Sequence, residues 1–161
     1  GGPQLAALAD SFSGRLEPLP RAHLPGSRDF SFSGVKTALA RAVRAAPLDD
    51  DRRAALAAAY QESIARSLTD RTLQVAEEIG NCTVLVVGGV ARNARLRALL
   101  TQRAQTTGIP VHFPDPAFCT DNAAMVAAAG LYKLARVGAD PPDLDCSPNP
   151  PLRSWREESQ S

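Results

Sequence analysis

Two glycines and an asparagine form the first candidate binding element. Gly88 and Gly89 directly follow the aliphatic run TVLVV at residues 83–87, and Asn93 is predicted in the first turn of the next helix. A glycine turn at such a place lets a ligand approach the backbone, and the helix start offers free N–H groups. The Asn93 amide can donate and accept, which suits a ribose hydroxyl or a base edge. The same pattern also fits a tight turn in which Asn93 merely caps the helix. It is not a P-loop, because the G-K-[ST] ending is missing.

Asp121 is the candidate metal ligand. It follows a loop and begins a helix within the segment C-T-D-N at residues 119–122. A carboxylate there can bind a hard or borderline metal ion. Residue type and position alone favour the simpler role of a helix cap. Cys119 lies close by, but no histidine is placed to act as its base, so we expect a small packing residue.

The histidines and one aromatic segment are weaker candidates. His23 and His112 form no H-x-x-x-H or H-E-x-x-H pair, so we expect both to be structural or surface residues. Phe30, Phe32 and Lys36 could stack on and contact a nucleic acid. Core aromatics beside a solvated lysine are the more common explanation for such a set.

Charge gives no general indication of nucleic-acid binding. The net charge is +1, so any basic surface must be local. One segment is distinctly basic, and a solvated helix face is the default expectation for it, with phosphate contact as the sharper alternative. Its arginines are Arg92, Arg95, Arg97 and Arg103.

Composition indicates an ordinary globular protein. Hydrophobic residues make up 44% and charged residues 22% of the 161 residues. No apolar run approaches the length of a membrane-spanning helix, and no signal pattern is visible, so a cytoplasmic protein is expected. The three cysteines form no C-x-x-C pair, which argues against a disulfide framework or a structural zinc site.

The first half of the chain is predicted to be mainly helical. Helices are expected over residues 3–10, 35–45 and about 50–79, with a loop at 13–29 and a short extended piece at 30–34 that Gly34 ends. The acidic run at 49–51 should start the long helix and Gly80 should stop it. Its predicted apolar stripe recurs every four residues. The stripe consists of Leu56, Tyr60, Ile64 and Leu68.

The second half of the chain is predicted to form a strand–helix–strand–helix unit. The run at 83–87 indicates a strand buried on both faces, which is typical of a parallel sheet. A helix over about 93–105, a strand over 109–113 and a helix over about 121–137 follow, and the crossover should be right-handed. The proline-rich tail from Gly138 should be irregular. The fold class is therefore α/β with a long helical insertion before the sheet unit.

Four segments together resemble the TsaD family of tRNA threonylcarbamoyladenosine transferases. They are GGP at 1–3, DFSFSGVKT at 29–37, VVGGVARN at 86–93 with Leu96 and Arg97, and FCTDNAAM at 118–125. Their order and approximate spacing are those of the family, from Gly1 to roughly Trp155. The second and fourth segments in combination are highly specific.

The resemblance implies one lobe of an actin-like ATPase (ASKHA) fold. Residues 1–161 would form a single domain, the C-terminal lobe of a two-lobe enzyme. Within it, 3–80 would be mainly helical insertion, 81–137 the core and 138–161 an irregular tail. The implied activity is transfer of a threonylcarbamoyl group from threonylcarbamoyl-AMP to N6 of the adenosine beside the tRNA anticodon.

The resemblance also implies the roles of particular residues. Gly2, Gly88, Gly89 and Asn93 match positions near the adenylate substrate, and Asp121 matches the metal-binding aspartate. The family's metal ion, iron or zinc, is also held by two histidines of an H-x-x-x-H motif in the first lobe, which this chain lacks. One carboxylate cannot hold a catalytic metal ion alone. No catalytic residue is therefore assigned in this chain.

The expected partners are tRNA, the adenylate substrate, the N-terminal lobe that this chain lacks, and helper proteins of the same pathway, with no membrane. We expect the isolated chain to be inactive. Two alternatives remain: a non-catalytic partner or scaffold lobe of the same complex, and a metallopeptidase. The second lacks an evident pair of general base and metal ion.

Overall fold

The computed structural model describes residues 1–22, 24, 26–143 and 145. Within them the helices and strands occur in the order α1 (Gly2–Asp10), α2 (Ser33–Arg44), α3 (Asp50–Ile79), β1 (Val84–Leu85), α4 (Ala94–Thr107), β2 (Val111–His112) and α5 (Ala123–Val137). Two short 3-10 turns span Gly89–Arg92 and Pro116–Phe118. None of the described helices has the length and apolar character needed to cross a membrane. The chain divides into two compact units, residues 1–121 and the residues from Asn122 onward.

The 30-residue helix α3 is the central element of the first unit, and α1, α2 and α4 each pack against it. Asp49 caps its start by accepting a hydrogen bond from the Arg52 N–H at 2.7 Å. Gly80 ends it with a positive φ of 72°, a conformation that favours glycine. The predicted bounds of this helix are confirmed.

The buried surface of α3 differs from the predicted stripe. Leu56, Tyr60, Ile64 and Leu68 are only half-buried, while small residues occupy most buried positions. Small side chains let neighbouring backbone approach closely, as where Ser67 Oγ accepts a hydrogen bond from the Ala22 N–H at 2.9 Å. Because neighbours contact α3 on several sides, burial is spread around the helix instead of following one apolar stripe.

The two strands pair in parallel, as predicted, with Val84 opposite Val111 and Leu85 opposite His112. Helix α4 connects them, and Gly108 ends α4 in the left-handed conformation. Side chains from this sheet pack against a cluster formed by α3 and α4. The cluster consists of Leu73, Leu100 and Ala104, with Val86, Ile109, Val111 and Phe113 against it.

The prediction that the first strand is buried on both faces is wrong in this structure. Leu85 is 70% and Val87 is 72% exposed. Alternate side chains of a strand point to opposite faces, and only the face that carries Val84 and Val86 is partly covered. The strand is also shorter than predicted, because its paired part is limited to Val84 and Leu85 opposite the equally short β2.

Helix α2 begins earlier than expected. The predicted extended piece ending at Gly34 is wrong in its last residues, because Ser33 and Gly34 already belong to α2. Phe30 and Phe32 precede the helix, with their ring centroids 5.8 Å apart and their planes inclined by 15°.

The second unit contains α5, which ends at Gly138 with a φ of 83°. Lys133 forms an ion pair with Asp140 beyond the helix end. Residues 138–143 and 145 are non-helical, as predicted for the tail. The rest of the predicted tail lies outside the described residues, namely residues 144 and 146–161, which include Cys146 and Trp155. His23 also lies outside the described residues.

Candidate functional site

The glycine turn lies where β1 ends. Gly88 has φ 84°, which explains why a glycine is needed there, and Gly89 begins a 3-10 turn that ends at Arg92, before the predicted helix. The first hydrogen bond of the turn runs from the Ala91 N–H to the Gly88 carbonyl at 3.0 Å. A Cβ added at either glycine would meet nothing within 4 Å. The space beside this backbone is therefore open to a ligand.

Asn93 is the N-cap of α4 and not a residue of its first turn, so the alternative in which Asn93 caps the helix is confirmed. Its Oδ1 accepts a hydrogen bond from the Leu96 N–H at 2.9 Å, as an N-cap side chain does. Its Nδ2 donates to Gln61 Oε1 at 2.8 Å. An amide oxygen can accept twice and an amide nitrogen can donate twice. Asn93 therefore keeps one acceptor and one donor position for a ligand while serving as the cap.

Gln61 is a further candidate residue of this site, which no sequence motif singled out. It lies on α3, is only 9% exposed, and connects that helix to the start of α4 through Asn93. One signal was present in the sequence. Ala57, Gln61 and Ala65 recur every four residues, so Gln61 is a polar residue on a stripe of small side chains.

An ion-pair network lies beside Gln61. Glu62 accepts hydrogen bonds from Arg95 at 2.6 and 2.9 Å and from Arg66 on the same helix. The Arg95 hydrogen bond, followed by that of Arg66, lowers the pKa of Glu62 to about 2 against the opposing effect of burial. The same pairing raises the pKa of Arg95. Both carboxylate and guanidinium thus stay charged at neutral pH.

Gln61, Glu62 and Arg95 also border an open cavity of about 350 Å³. Its other walls come from the end of α1, including Ala9 and Asp10, and from the loop that follows. The cavity therefore lies between the end of α1 and the part of α3 whose Gln61 is hydrogen-bonded to Asn93.

Arg97 ties the glycine turn to the loop after β2. Its guanidinium donates to the Ala91 carbonyl and, at 2.7 Å, to the Pro114 carbonyl. It also contacts Cys119 Sγ at 3.3 Å and lies over the Phe113 ring, 4.8 Å from the centroid. Arg97 therefore fixes the two loops relative to each other.

The arginines of α4 do not form a common solvated basic face, because most of them are paired within the protein. Arg95 and Arg103 pair with the carboxylates of Glu62 and Asp70, and Arg97 is bound to carbonyls. These pairings exist because α3 presents acidic residues to α4, which the local sequence did not reveal. Arg92, at the glycine turn, is exposed.

Asp121 is exposed and is not the cap of α5. Asn122 caps that helix by accepting a hydrogen bond from the Met125 N–H at 2.9 Å. The expectation of a capping role for Asp121 is wrong because the helix starts one residue later. Among the described residues no group of three or more histidine, cysteine, aspartate or glutamate side chains could hold a metal ion. Asp121 is thus at most one ligand of a metal ion, and the described residues do not form the site by themselves.

The other candidates take simpler positions. Cys119 is 3% exposed, in agreement with a packing role. His112 is exposed on β2. Gly2 is the first residue of α1 and is exposed, with open space where a Cβ would be.

The structure contains a parallel strand–helix–strand unit, with an open glycine turn after its first strand. This arrangement is that of α/β proteins, which bind ligands at the carboxyl ends of their parallel strands. The family model described as "TsaD: tRNA N6-adenosine threonylcarbamoyltransferase" matches residues 1–128. The chain belongs to this family.

Individual relatives agree with the family match. The chain is 47% identical over 153 residues to the tRNA N6-adenosine threonylcarbamoyltransferase of Symbiobacterium thermophilum, which covers 94% of this chain and 44% of the relative. It is 47% identical over 142 residues to the protein of the same name from Prochlorococcus marinus strain MIT 9313, covering 83% of this chain and 40% of the relative. The chain thus spans less than half the length of these relatives.

Proposed function

We propose that this chain is the second-lobe part of a tRNA N6-adenosine threonylcarbamoyltransferase. The observation that carries the proposal is the 47% identity over 94% of the chain to a protein of that name. The proposed architecture is one lobe of an actin-like fold, with residues 3–80 as its helical insertion and 81–137 as its core. A small parallel sheet beside long helices is compatible with part of such a lobe.

The reaction that we propose is a group transfer without oxidation or reduction. N6 of the tRNA adenosine attacks the carbamoyl carbon of threonylcarbamoyl-AMP, and a C–N bond forms. The bond from that carbon to the phosphate oxygen breaks, AMP leaves, and N6 loses one proton. Binding and orienting the adenylate is the contribution to be expected from residues of this chain.

Asn93 and the glycine turn are the proposed adenylate-binding elements. The free donor and acceptor positions of Asn93 suit a ribose hydroxyl or a base edge. The turn is held by Arg97, and Asn93 is held by Gln61 and the Leu96 N–H. A polar group that is already oriented loses less entropy on binding, which favours affinity. Gly2 is proposed to lie near the same ligand.

Asp121 is the proposed contribution of this chain to a metal site. A carboxylate oxygen suits iron or zinc, and two histidines from the first lobe would complete the ligand set. When bound, such an ion would act as a Lewis acid on the substrate. Helper proteins and a cytoplasmic location are likewise proposed for the complete enzyme.

A chimera tests the function directly. It replaces the matching 44% of the Symbiobacterium thermophilum transferase with this chain. We expect it to form N6-threonylcarbamoyladenosine in tRNA when given threonylcarbamoyl-AMP, as measured by mass spectrometry of digested tRNA. A folded chimera that binds the adenylate but leaves tRNA unmodified would contradict the proposal and favour the non-catalytic partner. A peptide-hydrolysis assay on the same preparation tests the metallopeptidase alternative.

A further inference from the structure

Helix α2 carries three cations and no acidic residue. Residues 30–48 contain Lys36, Arg41 and Arg44 but no aspartate or glutamate. All three side chains are exposed. We call them the α2 cations.

The α2 cations share one side of the helix. At about 100° per residue they lie within an arc of about 140°, and Val35, which is fully buried, lies opposite. Lys36 and Arg44 are about 12 Å apart along the helix axis. The helix therefore presents a row of positive charge to solvent and an apolar side to α3.

These cations are unpaired in a unit whose other arginines are mostly paired. None of the three side chains forms an ion pair or a hydrogen bond within residues 1–22, 24, 26–143 and 145. Six arginines of the first unit do form ion pairs with carboxylates. They are Arg21, Arg28, Arg53, Arg66, Arg95 and Arg103.

The side chain of Arg52 neutralises partial negative charge at the carboxyl end of the same helix. Its guanidinium donates to the carbonyls of Ala42, Ala46 and Pro47 at the carboxyl end of α2. Free carbonyls there would carry partial negative charge and would repel an anion. Arg52 therefore offsets the partial negative charge of these carbonyls.

An exposed aromatic ring lies at the other end. Phe30 is 36% exposed and stacks on Phe32, directly before α2. A ring held by a second ring is a rigid surface on which an RNA base can stack. Neither residue is a deeply buried core aromatic, which was the more common explanation for this segment.

We propose that the α2 cations bind the phosphate backbone of the tRNA substrate, with Phe30 as a stacking surface at the end of the row. This inference rests on the proposed function, because a tRNA substrate supplies a polyanion that fits unpaired cations in a row. An acidic protein surface is the competing occupant, but a row of cations that ends at an exposed, stacked ring matches the phosphates and bases of RNA more closely.

The test uses the chimera and unmodified tRNA, with the dissociation constant measured at several salt concentrations. The triple variant Lys36→Gln, Arg41→Gln, Arg44→Gln should bind tRNA roughly tenfold or more weakly at low salt. Its slope of log affinity against log salt should fall by about 2 to 3, since each lost phosphate contact reduces the slope by up to about 1. Phe30→Ala should weaken binding without changing the slope.

A matched control neutralises three other exposed arginines. This control is the triple variant Arg15→Gln, Arg28→Gln, Arg53→Gln, which changes the net charge by the same amount. Two of its arginines, Arg28 and Arg53, are already paired with carboxylates. It should change affinity and slope far less. Circular dichroism confirms that both triple variants are folded, and Arg41→Lys with Arg44→Lys should retain binding.

Unchanged tRNA affinity and slope in the folded α2 variant would overturn the inference and would favour an acidic protein partner. Equal losses in the two triple variants would also overturn it, because they would indicate a general charge effect. Failure of the chimera to modify tRNA, with intact tRNA binding, would instead contradict the proposed function alone.

Discussion

The side-chain amide of Asn93 donates a hydrogen bond to Gln61 Oε1 at 2.8 Å, across 32 positions of sequence. The contact joins the middle of α3 to the N-cap of α4 beside the glycine turn. It fixes which atoms of Asn93 remain for a ligand, so Gln61 is expected to act as a positioning residue.

Gln61→Met keeps the size of the side chain and removes the acceptor for Asn93. In the chimera we expect KM for threonylcarbamoyl-AMP to rise about tenfold with little change in kcat, equivalent to about 1.4 kcal/mol of binding free energy. Gln74→Met is the matched control, because Gln74 is an exposed glutamine on the same helix. Equal steady-state kinetics in the two variants would show that Gln61 is not needed to orient Asn93.

Asn93→Ala removes both the cap and the proposed ligand contact. We expect a loss of about 1 kcal/mol in the free energy of unfolding from the cap, and roughly 1–3 kcal/mol in adenylate binding. Asn93→Ser retains a capping oxygen but is too short to reach Gln61. It should recover most of the stability and little of the affinity, as measured by denaturant unfolding and calorimetry. Full affinity in Asn93→Ala would refute the ligand role.

Asp121→Asn tests the proposed metal ligand without disturbing a helix cap. Because Asn122 is the cap, we expect no loss of melting temperature, while the metal content of the chimera and tRNA modification should collapse. The neighbouring control Asn122→Ala should do the reverse, costing about 1 kcal/mol of α5 stability and sparing the metal ion. Retention of full metal content by Asp121→Asn would rule out the ligand assignment.

Glu62 should make the stability of the chain depend on pH. Its pKa is lowered from 4.5 to about 2 in the folded state, so its charged form stabilises the fold above about pH 4.5. That stabilisation is lost as the pH falls from about 4.5 towards 2. We expect about 1 kcal/mol, because Arg66 and Arg95 are partly exposed to screening solvent. Glu62→Gln should flatten this part of a urea-unfolding profile, and an unaltered profile would contradict the assignment.

The exposed side of β1 should govern the solution behaviour of the isolated chain. Leu85 and Val87 are 70% and 72% exposed, and adjacent apolar side chains of this kind promote association. We expect the 161-residue chain to self-associate and Leu85→Ser with Val87→Thr to reduce that association in sedimentation velocity. Leu56→Ser, at a half-buried position on α3, serves as a comparison. A monomeric parent chain would contradict this expectation.

The sequence by itself determined the helices and the order of the strands. The long helix from Asp50 to Ile79 was predictable because its cap and its stop are local signals carried by Asp49 and Gly80. The parallel pairing was predictable because two predicted strands, the first of them an aliphatic run, flank a helix. The four TsaD-like segments also identified the family, since they depend on residue identity and order rather than on contacts.

Only the tertiary structure decided what the polar side chains contact. The partners of Asn93, Arg95 and Arg103 lie on α3, more than thirty residues earlier in the chain. No local pattern encodes such a partner. The sequence predicted Asp121 as the cap of α5, but the cap is Asn122. Both residue types can cap a helix, so the position at which the helix starts decides which of them does so. The exposure of Leu85 likewise depends on which neighbouring layers are present, a property of packing that an aliphatic run does not specify.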